Sequence, residues 1–83
     1  MSNKKTLNIK VICDGYRPTS FKVYRNSELK KMMQRYAESE LGKPLNSLLF
    51  IYDSAVIGEK DSANSLGIQD GGTIEVVQKL IGG

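Results

Sequence analysis

Few residues of this chain could take part in covalent chemistry, and the most distinctive are Gly82 and Gly83 at its end. Neither has a side chain to pack, so after the apolar-alternating stretch from Ile74 to Ile81 they read as a slender handle whose one reactive group is the terminal carboxylate. A frayed end or an appended scar would look the same in isolation. Other candidates are weaker. The chain has no histidine, and so lacks the commonest general base and metal ligand. Its one cysteine, Cys13, excludes an internal disulfide and closes an alternating apolar stretch, the setting of a small core residue and not of a reactive thiol. Glu59 and Asp61 sit among loop residues and read as solvating acids. Gly71-Gly72 lacks the strand-to-helix context of a phosphate loop and reads as a turn. The expectation is a protein that is not an enzyme, with no metal site and no cofactor.

Eighty-three residues suit one small domain, and at this length only about 60% of the unfolded surface is buried, so the core must be continuous. The net charge of +3 is unevenly spread. Residues 1–35 carry nine Lys/Arg against Asp14 and Glu28, whereas the rest carries seven acids against Lys43, Lys60 and Lys79. That polarity suits partners presenting acidic groups to the first half. No stacking-aromatic platform or Arg/Gly-rich run accompanies the basic residues, so nucleic acid is not the expected partner. No apolar run approaches the ~18 residues that span a bilayer, and no apolar signal region follows the polar N-terminus. A soluble, intracellular protein with no membrane partner is expected.

The elements that must position these groups follow from periodicity. Residues 1–6 are polar and read as a flexible arm. Leu7, Ile9, Val11 and Cys13 alternate with Asn8, Lys10 and Ile12, a half-buried strand. Asp14 to Pro18 supplies turn chemistry, and Ser20 to Arg25 alternates again with Phe21 and Val23 inward and Lys22 outward, completing a hairpin. Leu29, Met32, Met33, Tyr36 and Ala37 form the stripe of an amphipathic helix that Asn26 or Ser27 can cap, with Lys30, Gln34, Arg35 and Glu38 opposite. Gly42 ends it and Pro44 forbids its continuation. Leu48 to Tyr52 reads as a buried strand, and Asp53-Ser54 turns it into a brief strand around Ala55 to Ile57. Gly58 to Asp70 is a loop anchored by Leu66 and Ile68, with one helical turn near Ser62 to Leu66. Gly71-Gly72 opens the last strand, Thr73 to Lys79, with Ile74 and Val76 inward.

This order predicts an α+β architecture, a mixed sheet of four to five strands with one main helix packed across it. The β-grasp fold fits, as do other small α+β folds. The residues themselves resemble the ubiquitin-like modifiers, SUMO most closely, over Leu7 to Gly83. Leu-Asn-Ile-Lys-Val-Ile is similar to the family's first strand and Ser-Phe-Lys-Val to its second. Leu29-Lys30-Lys31 through Tyr36 resembles the helix, and Asn46 to Asp53 the third strand. Leu66-Gly67-Ile68 and Thr73 to Val76 resemble the closing segment before the diglycine.

The resemblance implies a β-grasp domain over 7–79 and a conjugation tail over 80–83. Gly83, following Gly82, would be adenylated with ATP by an activating enzyme, passed as a thioester to a conjugating enzyme and joined to lysines of target proteins by an isopeptide bond, after a processing protease has exposed it. It implies a groove beside the second strand and the helix, carried by Phe21, Lys22, Val23, Lys31 and Tyr36, which accepts SUMO-interacting peptide motifs as an added strand. A monomer in nucleus and cytoplasm is the corresponding expectation. The alternative is a ubiquitin-like interaction domain that is never conjugated. A small basic nucleic-acid-binding domain is a third reading, and it would bind with steep salt dependence.

Three departures bear on partners. Where SUMO carries an arginine, a glycine and an acid on its docking surface for the conjugating enzyme, this chain has Leu49, Ser54 and Gly72. Leu49, Ile51 and Val77 are expected to point outward from neighbouring strands as an apolar patch. Lys79 stands where SUMO tails usually carry an acid, a position that activating enzymes read.

Overall fold

Alternation from Thr6 to Cys13 builds strand β1 (Thr6–Cys13) in the computed structural model, which describes residues 5–79. Leu7, Ile9, Val11 and Cys13 are buried, while Asn8 and Lys10 face outward. β2 (Thr19–Tyr24) returns antiparallel, with Leu7 opposite Val23 and Ile9 opposite Phe21. On the other side of β1 lies β5 (Gly72–Gln78), parallel to it, with Val11 opposite Ile74. β3 (Leu48–Tyr52) is antiparallel to β5, and the short β4 (Ala55–Val56) closes the far edge. The order β2-β1-β5-β3-β4 is a mixed five-stranded sheet. Its inner face packs on Leu29, Met32, Met33, Tyr36, Ala37 and Leu41 from the helical segment, the α+β layering that the element order predicts.

The helix departs from expectation at both ends. α1 spans Lys30–Arg35, with Leu29 at its N-cap and no side-chain cap, so neither Asn26 nor Ser27 performs that role. Glu28 bridges to Ser62, and the Leu29 N–H donates to the Asp61 carbonyl at 2.8 Å. A neighbouring loop thereby satisfies a donor that a cap would otherwise serve. Beyond Arg35 the chain widens into a π-helical segment, Tyr36–Leu41, before Gly42 takes a left-handed φ of 64°. Continued α-helix would place Glu40 four residues after Tyr36, on the core stripe. The wider turn leaves Glu40 exposed and buries Leu41.

The long loop contains the expected turn as α2 (Ala63–Leu66), opened by a reciprocal capping box between Ser62 and Ser65. The start of β5 is fastened beside β1 through the Asn8 backbone. Its N–H donates to Asp70 Oδ1 at 2.6 Å, and its carbonyl accepts from the Gly71 N–H at 2.8 Å.

Candidate functional site

β2 is an edge strand of the sheet, so among the described residues one side of its backbone faces no other strand. Phe21 and Val23 are half-buried toward the helix, whereas Lys22 and Tyr24 are exposed on the opposite face, Tyr24 by 63%. Phe21 meets the ring of Tyr36 edge-on at 6.3 Å, which sets the helix against this edge. A helix advances about 100° per residue, so Lys31 and Arg35 share one flank while Lys30 and Gln34 share the other. Lys30, Met33 and Gln34 line a groove over β3 and β4. Lys31 and Arg35 are both exposed, and Lys31 lines a second hollow with Ser27, Glu28, Lys30 and Gln34 at the start of the helix. Phe21 and Val23 thus present half-buried apolar surface along the outermost strand, on the face that carries the helix.

Tyr36 does not line the surface beside β2. Its side chain is 0% exposed, held between Phe21 and Phe50, the latter at 6.0 Å with a 78° interplanar angle. It supports the floor from beneath and offers a visiting peptide no surface. Its hydroxyl is buried without a hydrogen-bond partner among the described residues. Burial pushes the phenol above its ordinary range, and the neighbouring Cys13, Glu40 and Tyr16 add to the rise. The Cys13 thiol is likewise pushed up, by burial first and then by Asp14, which suits the core residue the alternation implies.

On the outer face of the sheet, Leu49 stands directly opposite Val77, and Ile51 lies two residues further along β3, opposite Glu75. Leu49 and Ile51 are half-buried and Val77 is 43% exposed. The three predicted patch residues are thus contiguous. Val56, opposite Ile51 and 58% exposed, extends the patch. Sequence reasoning placed Val56 in a strand but missed its exposure, because two residues have no period to read. Ile12 and Ile51 flank Glu75 from the two neighbouring strands, so one carboxylate sits within apolar surroundings.

Of the three positions that differ from SUMO, Leu49 belongs to this patch and Ser54 occupies a left-handed φ of 68°. Gly72 has no room for a side chain, since a Cβ would come within 2.8 Å of Ile68 Cγ2 and 3.0 Å of the Gln69 carbonyl oxygen. An acid at this position would require the backbone to move. Lys79, the last described residue, is exposed, and its N–H donates to the Ser47 carbonyl at 2.9 Å. Gly82 and Gly83 lie outside the described residues, as do residues 1–4.

A family profile described as "Ubiquitin-2 like Rad60 SUMO-like" matches residues 7–78. A Small ubiquitin-related modifier of Caenorhabditis elegans is 31% identical over 81 residues, covering 98% of this chain and 88% of that protein. Among solved structures, a ubiquitin of Caldiarchaeum subterraneum superposes with a TM-score of 0.81 at 19% identity, covering 94% of this chain and 99% of that one. The N-terminal ubiquitin-like domain of another protein superposes at 0.77 with 20% identity, covering 98% and 82%. The two superpositions show the fold to be β-grasp.

Proposed function

The chain belongs to the SUMO-like family of ubiquitin-like proteins, and from that premise we propose that it is a protein modifier attached through Gly83 to lysines of target proteins. The near-full-length similarity to a small ubiquitin-related modifier carries this reading. In it, ATP converts the Gly83 carboxylate into an acyl adenylate with release of pyrophosphate. A cysteine thiolate of the activating enzyme then displaces AMP to form a thioester, and a second cysteine of the conjugating enzyme takes over the acyl group. Aminolysis by a lysine expels that thiolate and leaves an isopeptide bond. The chain supplies the acyl group and a folded surface; every reacting side chain belongs to its partners. Gly82 suits such a tail because a backbone without Cβ fits a narrow channel. Lys79, exposed where the last strand ends, is the residue by which an activating enzyme distinguishes this tail.

The β2 edge and its basic flank suit an aliphatic peptide with neighbouring acids, bound as an added strand. The apolar patch of Leu49, Ile51 and Val77 suits a second class of partner. A Leu49→Arg, Ile51→Lys double variant is expected to lose partners of this patch while retaining peptide binding at β2; unchanged capture of every partner would remove the patch from the account. A monomer in nucleus and cytoplasm, matured by a processing protease, completes the proposal.

One observation favours a second reading, a ubiquitin-like interaction domain that is never conjugated. Leu49 and Gly72 stand where SUMO carries its docking arginine and acid, and a Cβ at Gly72 would crowd Ile68 and the Gln69 carbonyl, which speaks against the SUMO mode of holding the conjugating enzyme. Incubation with activating enzyme, ATP and conjugating enzyme from the same source separates the readings. A thiol-sensitive adduct that disappears on deletion of Gly83 is the expected result. No adduct with any ubiquitin-like cascade of that source would establish the interaction domain instead.

A further inference from the structure

Between α1 and the edge of the sheet far from β2 lies a groove of about 600 Å³. Met33, Leu48 and Phe50 form its buried floor, and half-buried Leu45 and exposed Val56 form its accessible apolar walls. The backbone beside it is already bonded. The Leu48 N–H donates to the Leu45 carbonyl, and the Ile57 N–H donates to the Phe50 carbonyl at 2.8 Å. An occupant therefore gains side-chain burial there and no strand pairing. On the rim, Lys30 faces Glu59 at 3.7 Å, whereas Lys79 is exposed and has no ion pair among the described residues.

We propose that the occupant is the chain's own tail, with the side chains of Leu80 and Ile81 seated between Leu45 and Val56. Lys79 is both the last described residue and part of the groove's rim, so these two aliphatic residues follow directly from its edge. Their point of departure is fixed. The Lys79 N–H donates to the Ser47 carbonyl at 2.9 Å, and the preceding Gln78 stands opposite Leu48 of the floor. Two extended residues carry a chain about 7 Å, and they start from a rim that Leu45 and Val56 share. Tethering of this kind holds a segment at an effective concentration on the order of millimolar, with no partner to recruit. Burial of two aliphatic side chains and the ordering of their backbone oppose each other with similar size, so docked and free tails interchange. In the conjugatable form Gly83 ends in a carboxylate, and the unpaired ammonium of Lys79 favours keeping that end beside the groove. The consequence rests on the conjugation reading: an activating enzyme takes the free tail, and the groove withholds the rest.

The test uses the whole chain labelled with carbon-13 and nitrogen-15, with no enzyme present, and the peptide acetyl-Gln-Lys-Leu-Ile-Gly-Gly as the reference for a free tail. Nuclear Overhauser effects are expected from the methyl groups of Leu80 and Ile81 to those of Leu45 and Val56. Val56→Asp, at an exposed position outside the core, is expected to remove them and to move the Leu80 and Ile81 resonances to the values of the free peptide. A Leu80→Ser, Ile81→Ser double variant is expected to shift resonances of Leu45, Leu48 and Val56 to Gly58 while the rest of the spectrum stays that of the parent. Tyr24→Ser, on the opposite edge of the sheet, is expected to leave the tail resonances unchanged. Tail resonances at free-peptide values in the parent chain, contacts to another surface, or shifts in the double variant away from the groove would each overturn the proposal. An undocked tail that still forms the thiol-sensitive adduct overturns this inference alone, and a docked tail that forms no adduct with any cascade overturns conjugation alone.

Discussion

Tyr36 is buried to 0% exposure with a hydroxyl that has no partner among the described residues, so its oxygen is a cost that the aromatic packing on either side offsets. Tyr36→Phe keeps both edge-on ring contacts and removes the unsatisfied group; it is expected to raise unfolding free energy by about 1 kcal/mol in chemical denaturation. The pH dependence has a definite sign. The folded-state values of Tyr36 and Cys13 are both raised by burial, so each group prefers its neutral form in the folded protein. Their contribution to stability is whole below the unfolded-state values and is lost as pH rises through the folded ones. Stability is therefore expected to be level with respect to these two groups at neutral pH and to fall above about pH 9. Tyr36→Phe is expected to make that alkaline decline shallower, measured as denaturation midpoint against pH.

Among the elements, the helical segment tests how far pattern alone can be read. Its stripe from Leu29 to Ala37 is legible because apolar residues recur at three and four positions, and all five are buried. The stripe fails at Glu40, where a charge falls on the inward face. The backbone resolves the conflict by widening to a π turn, which a reading with a fixed 3.6-residue period cannot anticipate. Deleting Glu40 would bring Leu41 to the position four after Tyr36. The shortened chain is expected to fold with an α-helical segment there and stability within about 1 kcal/mol of the parent, checked by thermal unfolding and helical circular dichroism. The missing side-chain cap has a similar origin. Asn26 and Ser27 suit capping by type, but a long-range bond from Leu29 to Asp61 takes over, and no local pattern reports it.

Across the whole molecule, β1, β2 and β5 and their faces were legible because a period of two survives in each, whereas β3, apolar at all five positions, was legible only as a buried run. β4, with two residues, carries no such signal, and so Val56 at the lip of two surfaces escaped notice. Tyr36 shows the converse. Its spacing places it in the core, the resemblance to SUMO placed it in a groove, and the packing of Phe21 and Phe50 on its ring decides for the core. Central pairing of β1 with β5 also has a mechanical consequence. The two strands are parallel neighbours, so the beginning of β1 and the end of β5 lie at opposite ends of one ladder. A pull between those ends loads the ladder in shear, with its hydrogen bonds strained together and not unzipped one at a time. Tension applied between the start of β1 and the end of β5 is therefore borne by the whole ladder at once.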